Sequence, residues 1–392
     1  GMRFALPVLI FAFVSLANAE PVLRNGDLLK PQRIVKLDPY PGLHTRSLQS
    51  GPSPQPLIVG ADNFRRVPEA AVYGVAQPTV AALKEVLQSL GAGPGGAGSQ
   101  AVWTSLREEP VLYIQGRSYT LRERSRPFEN LEAAGISSND VEQREEVLRQ
   151  EIWAEALRCG GKFMVHEENP DGSLAERWLS LEESDLQTPA EVFEELREEG
   201  YRVDYARIPI SDEKTPEDQD IDALLSRLRQ SAPDSPLVFN CHAGRGRTTT
   251  GMVMGQLFRQ QQSGLRLQPA PAMGNRFEQG QYQAVMQLVQ SLPAGGQSKQ
   301  SLDALIDQAA AVQNLRTAIA KLKQQAEANQ GHQAVESLAR GRDYLHRYRM
   351  LLAFESYLRE MAPQGFPKTF SQWLKQYPLL EIAPEGLELV FR

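Results

Sequence analysis

The stretch Val238-Phe239-Asn240-Cys241-His242-Ala243-Gly244-Arg245-Gly246-Arg247-Thr248-Thr249-Thr250-Gly251 constrains the fold more than any other part of this chain. An apolar run ends in a cysteine, a short loop with two glycines follows, and an arginine and a hydroxyl residue open what reads as a helix. Strand, tight loop and helix in that order are the unit from which parallel sheets covered by helices are built. The glycines let successive backbone N–H groups point at one centre, and the helix adds the positive end of its dipole. Such a cup fits a phosphate dianion and favours a thiolate. Cys241 is therefore the candidate nucleophile, Arg247 a bidentate clamp on phosphoryl oxygens, and Thr248 a donor to the sulfur that eases its departure. His242, Ala243, Gly244, Arg245 and Gly246 form the substrate-binding loop, in which His242 and Arg245 make the cup more cationic than one arginine requires. That extra charge suits a ligand bearing several phosphates. Cys159 has Val165 six residues on, not an arginine, and reads as a buried helix-end thiol, with a reversible protecting disulfide to Cys241 as the alternative.

The surrounding texture alternates strand and helix. Periodicity and breakers predict strands over 57–59, 71–74, 102–106, 111–115, 163–166, 177–181, 201–208 and 236–240. Helices are predicted over 79–90, 140–159, 188–200, 221–230 and 248–260, the third opened by the capping box Thr188-Pro189-Ala190-Glu191. The expected fold is α/β: a mostly parallel central sheet flanked by helices, with ligands bound beyond the carboxyl ends of the strands. Residues 281–362 are rich in Ala, Gln, Leu and Arg without a sustained heptad, and read as a long helical hairpin on the sheet. Residues 20–56 carry Pro, Gly and Ser with no period and read as an extended, partly mobile lead-in to a phosphatase domain spanning 57–392.

A phosphate ester also needs an acid to protonate its leaving oxygen. The polar stretch Arg207 to Asp222 leaves a strand just before the nucleophile's unit and can close over it. Asp212 is the first candidate and Glu213 the second, while Asp218, Asp220 and Asp222 read as the solvated start of a helix.

Charge and cysteine usage exclude other classes. With 42 Lys+Arg against 48 Asp+Glu and a net charge of -6, the chain lacks the surface of a nucleic-acid coat. Two cysteines and five scattered histidines offer no zinc cluster, so neither metal nor cofactor is expected. Gly1 reads as an added residue. Arg3, the apolar run Ala5 to Leu16 and Ala17-Asn18-Ala19 read as a signal peptide over 1–19, which implies a periplasmic or secreted protein. The run is too short for a stable membrane anchor.

Cys241 to Thr250 resembles the Cys-x-x-Gly-x-Gly-Arg-Thr-Thr signature of the protein-tyrosine-phosphatase-like phytases, inositol polyphosphate phosphatases, and within them the branch related to paladin. Arg207 to Asp222 is similar to that family's general-acid loop, with Asp212 in the acid's place. Asn63-Phe64-Arg65, Gly74 to Pro78, Leu106-Arg107-Glu108-Glu109, Val312 to Arg316, Tyr344 to Leu358 and Phe370 to Lys375 also look like family segments. The resemblance implies a phosphatase-type α/β fold, a cysteinyl-phosphate intermediate, a phosphorylated small-molecule substrate such as an inositol polyphosphate, and a phosphate-binding role for Arg65. A phosphoprotein or phosphoinositide phosphatase, or a catalytically silent phosphate-binding module, is the alternative. The chain departs from the pattern at Asn240, where the widest form of the motif has His, and at Ser105, where active phytases usually show Asp.

Overall fold

The computed structural model describes residues 24–38, 58–264 and 274–390; the signal-peptide expectation, much of the expected lead-in and Leu57 lie outside them. The chain runs through β1 (Arg33–Leu37), β2 (Arg65–Arg66), β3 (Val72–Ala76), α1 (Val80–Ser89), β4 (Ala101–Arg107), β5 (Val111–Ile114) and β6 (Arg117–Glu123). It continues with α2 (Ser138–Arg158), β7 (Lys162–Glu168), β8 (Leu174–Ser180), β9 (Leu186–Gln187), α3 (Pro189–Glu198), β10 (Val203–Ile210) and α4 (Asp218–Gln230). Then come β11 (Leu237–Cys241), α5 (Gly246–Ser263), α6 (Gln283–Ser291), α7 (Gly295–Gln308), α8 (Leu315–Ala328), α9 (His332–Met361) and α10 (Phe370–Leu374).

The strands form two sheets. The first is five-stranded, order β10-β4-β11-β3-β2, parallel throughout except for the short edge strand β2. Every residue of β11 is buried, as a strand covered on both faces requires. Its side chains divide between two cores with the period of two that pleating imposes. Leu237 and Phe239, with Val102 and Leu106 of β4, pack under α4, α5 and the C-terminal helices. Val238, with Trp103 and Val75, packs under α1 and α3. A Cβ on Gly251 would lie 2.8 Å from Phe239, so glycine is what lets α5 settle onto β11.

The second sheet, six-stranded in the order β8-β7-β1-β6-β5-β9, is antiparallel except where β1 meets β7, and α2 covers it. It lies beside the expected mostly parallel sheet, which the five-stranded sheet supplies. The lead-in is corrected: Arg33–Leu37, in a stretch without period, is an interior strand between β6 and β7. A strand buried on both sides alternates weakly, and this one is too short to announce itself. Of the strand expected at 57–59, Ile58 and Val59 lie in a loop. The expected hairpin over 281–362 resolves into α6, α7, α8 and α9, with α8 and α9 as the close antiparallel pair. No described helix is long and apolar enough to cross a membrane.

Candidate active site

All the site segments leave the carboxyl ends of the parallel strands: the cysteine loop after β11, residues 108–109 after β4, residue 77 after β3 and residues 211–217 after β10. Cys241 is the last residue of β11 and is buried. Thr248 Oγ1 donates to its sulfur at 3.1 Å. The loop turns at Gly244 with φ +71°, and a Cβ there would sit 2.4 Å from the Ala76 nitrogen, so only glycine fits. Arg247 follows in the first turn of α5, buried, as the sequence spacing requires.

Arg247 is held from outside the motif. Its Nη1 donates to Glu109 Oε1 at 2.5 Å and to the Ile210 carbonyl at 3.0 Å. Burial opposes the charge, yet Glu109 and Asp212 hold the guanidinium above its ordinary pKa. Glu109 also accepts from Arg107 Nε at 2.7 Å, and Arg107 in turn meets Asp38 Oδ2 at 2.9 Å and Thr120 Oγ1 at 2.7 Å. Burial alone would raise the Glu109 carboxyl; Arg247 and Arg107 instead keep it well below the usual carboxylate range. Asp38 behaves the same way, with Arg107 and His242 overcoming its burial. Sequence reasoning noticed the Arg107-Glu108-Glu109 run but gave it no role, and missed Asp38 altogether because nothing in its neighbourhood marks it.

The His242 side chain is turned away from the cup. Its imidazole is buried and turned onto Asp38, Nε2 to Oδ1 3.0 Å. Burial, with Arg107 and Arg122 adding to it against Asp38, lowers its pKa, so the ring is a neutral donor rather than a second cation for the ligand. Arg245 is exposed at the rim and makes no ion pair among the described residues. Arg65 is buried beneath the loop. It donates to the Gly244 carbonyl, to Asn63 O at 3.0 Å and to Thr249 Oγ1 at 2.8 Å, while Asn63 Nδ2 donates to Ala243 O at 2.7 Å. Its contacts brace the cysteine loop.

Asn240 is fully occupied. Trp103 Nε1 donates to its Oδ1 at 2.9 Å, and its Nδ2 donates to Gln77 Oε1 at 3.0 Å. The side chain thus anchors β11 from below. Ser105 is its register partner on β4 and is buried.

Asp212 stands over Arg247, Oδ1 3.5 Å from Nε, and accepts from Asn130 Nδ2 at 2.9 Å. Its side chain is 46% exposed. Glu213, the second candidate acid, is drawn instead to Arg340, at 2.8 Å. Asp218 and Asp220 lie in the first turn of α4.

Residues 104–259 match the PTPlike_phytase family model, described as inositol hexakisphosphate. Paladin of Gallus gallus is 32% identical over 332 residues, 80% of this chain and 36% of that protein. Paladin of Homo sapiens is 31% identical over 332 residues, covering 80% and 35%. The chain thus spans about a third of the length of these relatives. Among solved structures, the tandemly repeated protein tyrosine phosphatase like phytase from Mitsuokella multacida superposes with a TM-score of 0.58 at 16% identity, over 90% of this chain and 49% of that one. The PTP-like myo-inositol phosphatase from the same organism, in complex with myo-inositol-(1,3,4,5)-tetrakisphosphate, gives 0.57 at 15%, with the same coverage. At such identities the superpositions speak for the fold.

Proposed function

The chain belongs to the protein-tyrosine-phosphatase-like phytases, in their paladin-related branch, and from that premise we propose that it is a cysteine-dependent phosphatase acting on inositol polyphosphates. The observation that carries the reading is the meeting of Asp212 and Arg247, 3.5 Å apart, from two separate loops beside a sulfur that accepts from Thr248. The family's general acid and its phosphate clamp are expected at just such a meeting.

In the proposed reaction, the Cys241 thiolate attacks phosphorus in line, and the S–P bond forms as the P–O bond to the leaving group breaks. Asp212 passes its carboxyl proton to the departing alkoxide. Arg247 and the loop amides hold the non-bridging oxygens, and their grip tightens as charge spreads over them. Water, giving a proton to the Asp212 carboxylate, then cleaves the S–P bond, and the Thr248 hydroxyl receives the sulfur as it leaves.

The substrate class is supported by the described family and by the exposed Arg245 at the rim; His242, committed to Asp38, adds nothing to it. We extend the proposal to a periplasmic or secreted location on the strength of residues 1–19 alone. Phosphate release from myo-inositol hexakisphosphate, phosphotyrosine peptides and phosphoinositide vesicles in EDTA tests the reading. It predicts fastest release from the soluble inositol phosphate. Preference for peptide or vesicle replaces the substrate, and phosphate-dependent thermal stabilisation without any turnover points to a silent binding module.

A further inference from the structure

Helix α9 lays a polar stripe along the acid loop. Arg340, Asp343, Tyr344 and Arg347 recur at the spacing that puts side chains on one face of a helix. Arg340 grips Glu213 through two bonds, Nη2 to Oε1 at 2.8 Å and Nε to Oε2 at 3.1 Å, and Tyr344 donates to the same Oε1 at 3.3 Å. Lys214 meets Asp343 at 2.8 Å, and Thr215 Oγ1 lies 2.6 Å from His346 Nδ1. The three residues that follow Asp212 are thus each tied to one helix. Glu213 has φ +62°, a backbone that glutamate rarely adopts, so the grip on its side chain holds a conformation that would otherwise relax.

The same face reaches the nucleophile's side of the site. Arg347 is buried, its Nη1 bonding Thr250 Oγ1 at 3.3 Å, and Thr250 bonds back to the Gly246 carbonyl at 3.0 Å. Arg347 Nε and Nη2 have no hydrogen-bond partner among the described residues, and its guanidinium rests 4.5 Å over the Tyr344 ring. One helix therefore touches both the loop that carries the acid and the helix that carries the clamp. Ion pairs as exposed as Arg340 with Glu213 are weak singly, but a run of ties on adjacent residues removes the loop's freedom to move.

We infer that α9 positions the acid: Arg340 and Tyr344, acting through Glu213, hold Asp212 at Arg247 in register with the sulfur. The inference rests on the phosphatase reading above, with Arg340 as a positioning residue that does not touch substrate.

The test is kinetics of the full chain carrying Arg340→Ala or Arg340→Lys on phosphate esters graded by leaving-group acidity, with amide exchange over residues 211–217. A good leaving group departs without a proton, so a displaced acid tells only with poor ones. For Arg340→Ala, kcat should fall about tenfold on inositol phosphates and less than about threefold on p-nitrophenyl phosphate, with no further loss when it is added to Asp212→Asn. Exchange over 211–217 should quicken, and Arg340→Lys should recover part of both effects. Unchanged exchange, or an equal loss on every ester, overturns the clamp, while Cys241-dependent turnover by the wild type still upholds the phosphatase. A wild type that cleaves no ester removes the phosphatase reading and the clamp's catalytic role with it.

Discussion

The two sheets divide the site between them in unlike ways. The parallel sheet delivers Cys241, its loop and Arg247 within one strand, one turn and one helix, so the chemistry is nearly contiguous in sequence. The antiparallel sheet contributes no residue to the cup, yet it supplies Asp38 and Thr120, which through Arg107 and Glu109 hold Arg247 in place. A local motif can thus assemble a candidate site, while the alignment of its arginine is a long-range property of buried charge.

The comparison can be broken from either side. Cys241→Ser should lower kcat by about 10⁴ or more with folding intact, since it removes the proposed nucleophile and little else; circular dichroism beside phosphate release checks both halves of that statement. Glu109→Gln cuts the link, on the loop after β4, through which the other sheet's Asp38 and Thr120 act on Arg247. It leaves Arg107 and Arg247 buried without their shared charge, and should cost about 3–5 kcal/mol by urea unfolding together with a fall in kcat. If Glu109→Gln leaves stability and turnover untouched, the antiparallel sheet is mere scaffold and the contrast fails.

Acid titration sharpens it further. Asp38 has a folded pKa below its ordinary value near 3.8, so its contribution is present above that pH and is lost as the pH falls toward the folded value. His242 is likewise depressed from 6.5, so the stability gained by burying it neutral is present above 6.5 and erodes below. The wild-type melting temperature should therefore begin to fall below about 6.5 and steepen below about 4. Asp38→Asn should lose about 2 kcal/mol at neutral pH and show a flatter limb below 4, measured by thermal melts from pH 7 to 3. A limb as steep as the wild type's would remove Asp38 from the account. The smallest effect is expected at Asn240→Ala, which frees Trp103 and Gln77: about 1–2 kcal/mol of stability, with turnover changed less than in Glu109→Gln.

What could be read in advance follows the same division. β11, the glycine loop and α5 were legible because one short stretch carries apolar run, turn and helix start together. Asp212 was picked from its polar loop and strengthened by resemblance, and the structure sets its carboxylate 3.5 Å from Arg247. His242 misled, since its type suggests a cation for the ligand, while its burial and its turn onto Asp38 depend on β1, a strand the periodicity never showed. Arg65 read as a phosphate contact, and the fold sets it under the loop as a brace. The α9 stripe was invisible for a related reason: Arg340 and Tyr344 meet Glu213 across a sequence gap that no local pattern spans.

Acid-quenched turnover followed by peptide mass mapping puts the central claim to its most direct trial. With p-nitrophenyl phosphate, whose leaving group departs without a proton, and Asp212→Asn to slow breakdown of the intermediate, the account predicts one phosphoryl group on the peptide bearing Cys241, in amounts approaching one per enzyme and absent when Cys241→Ser is added. Steady release of phosphate with that peptide unmodified would contradict it.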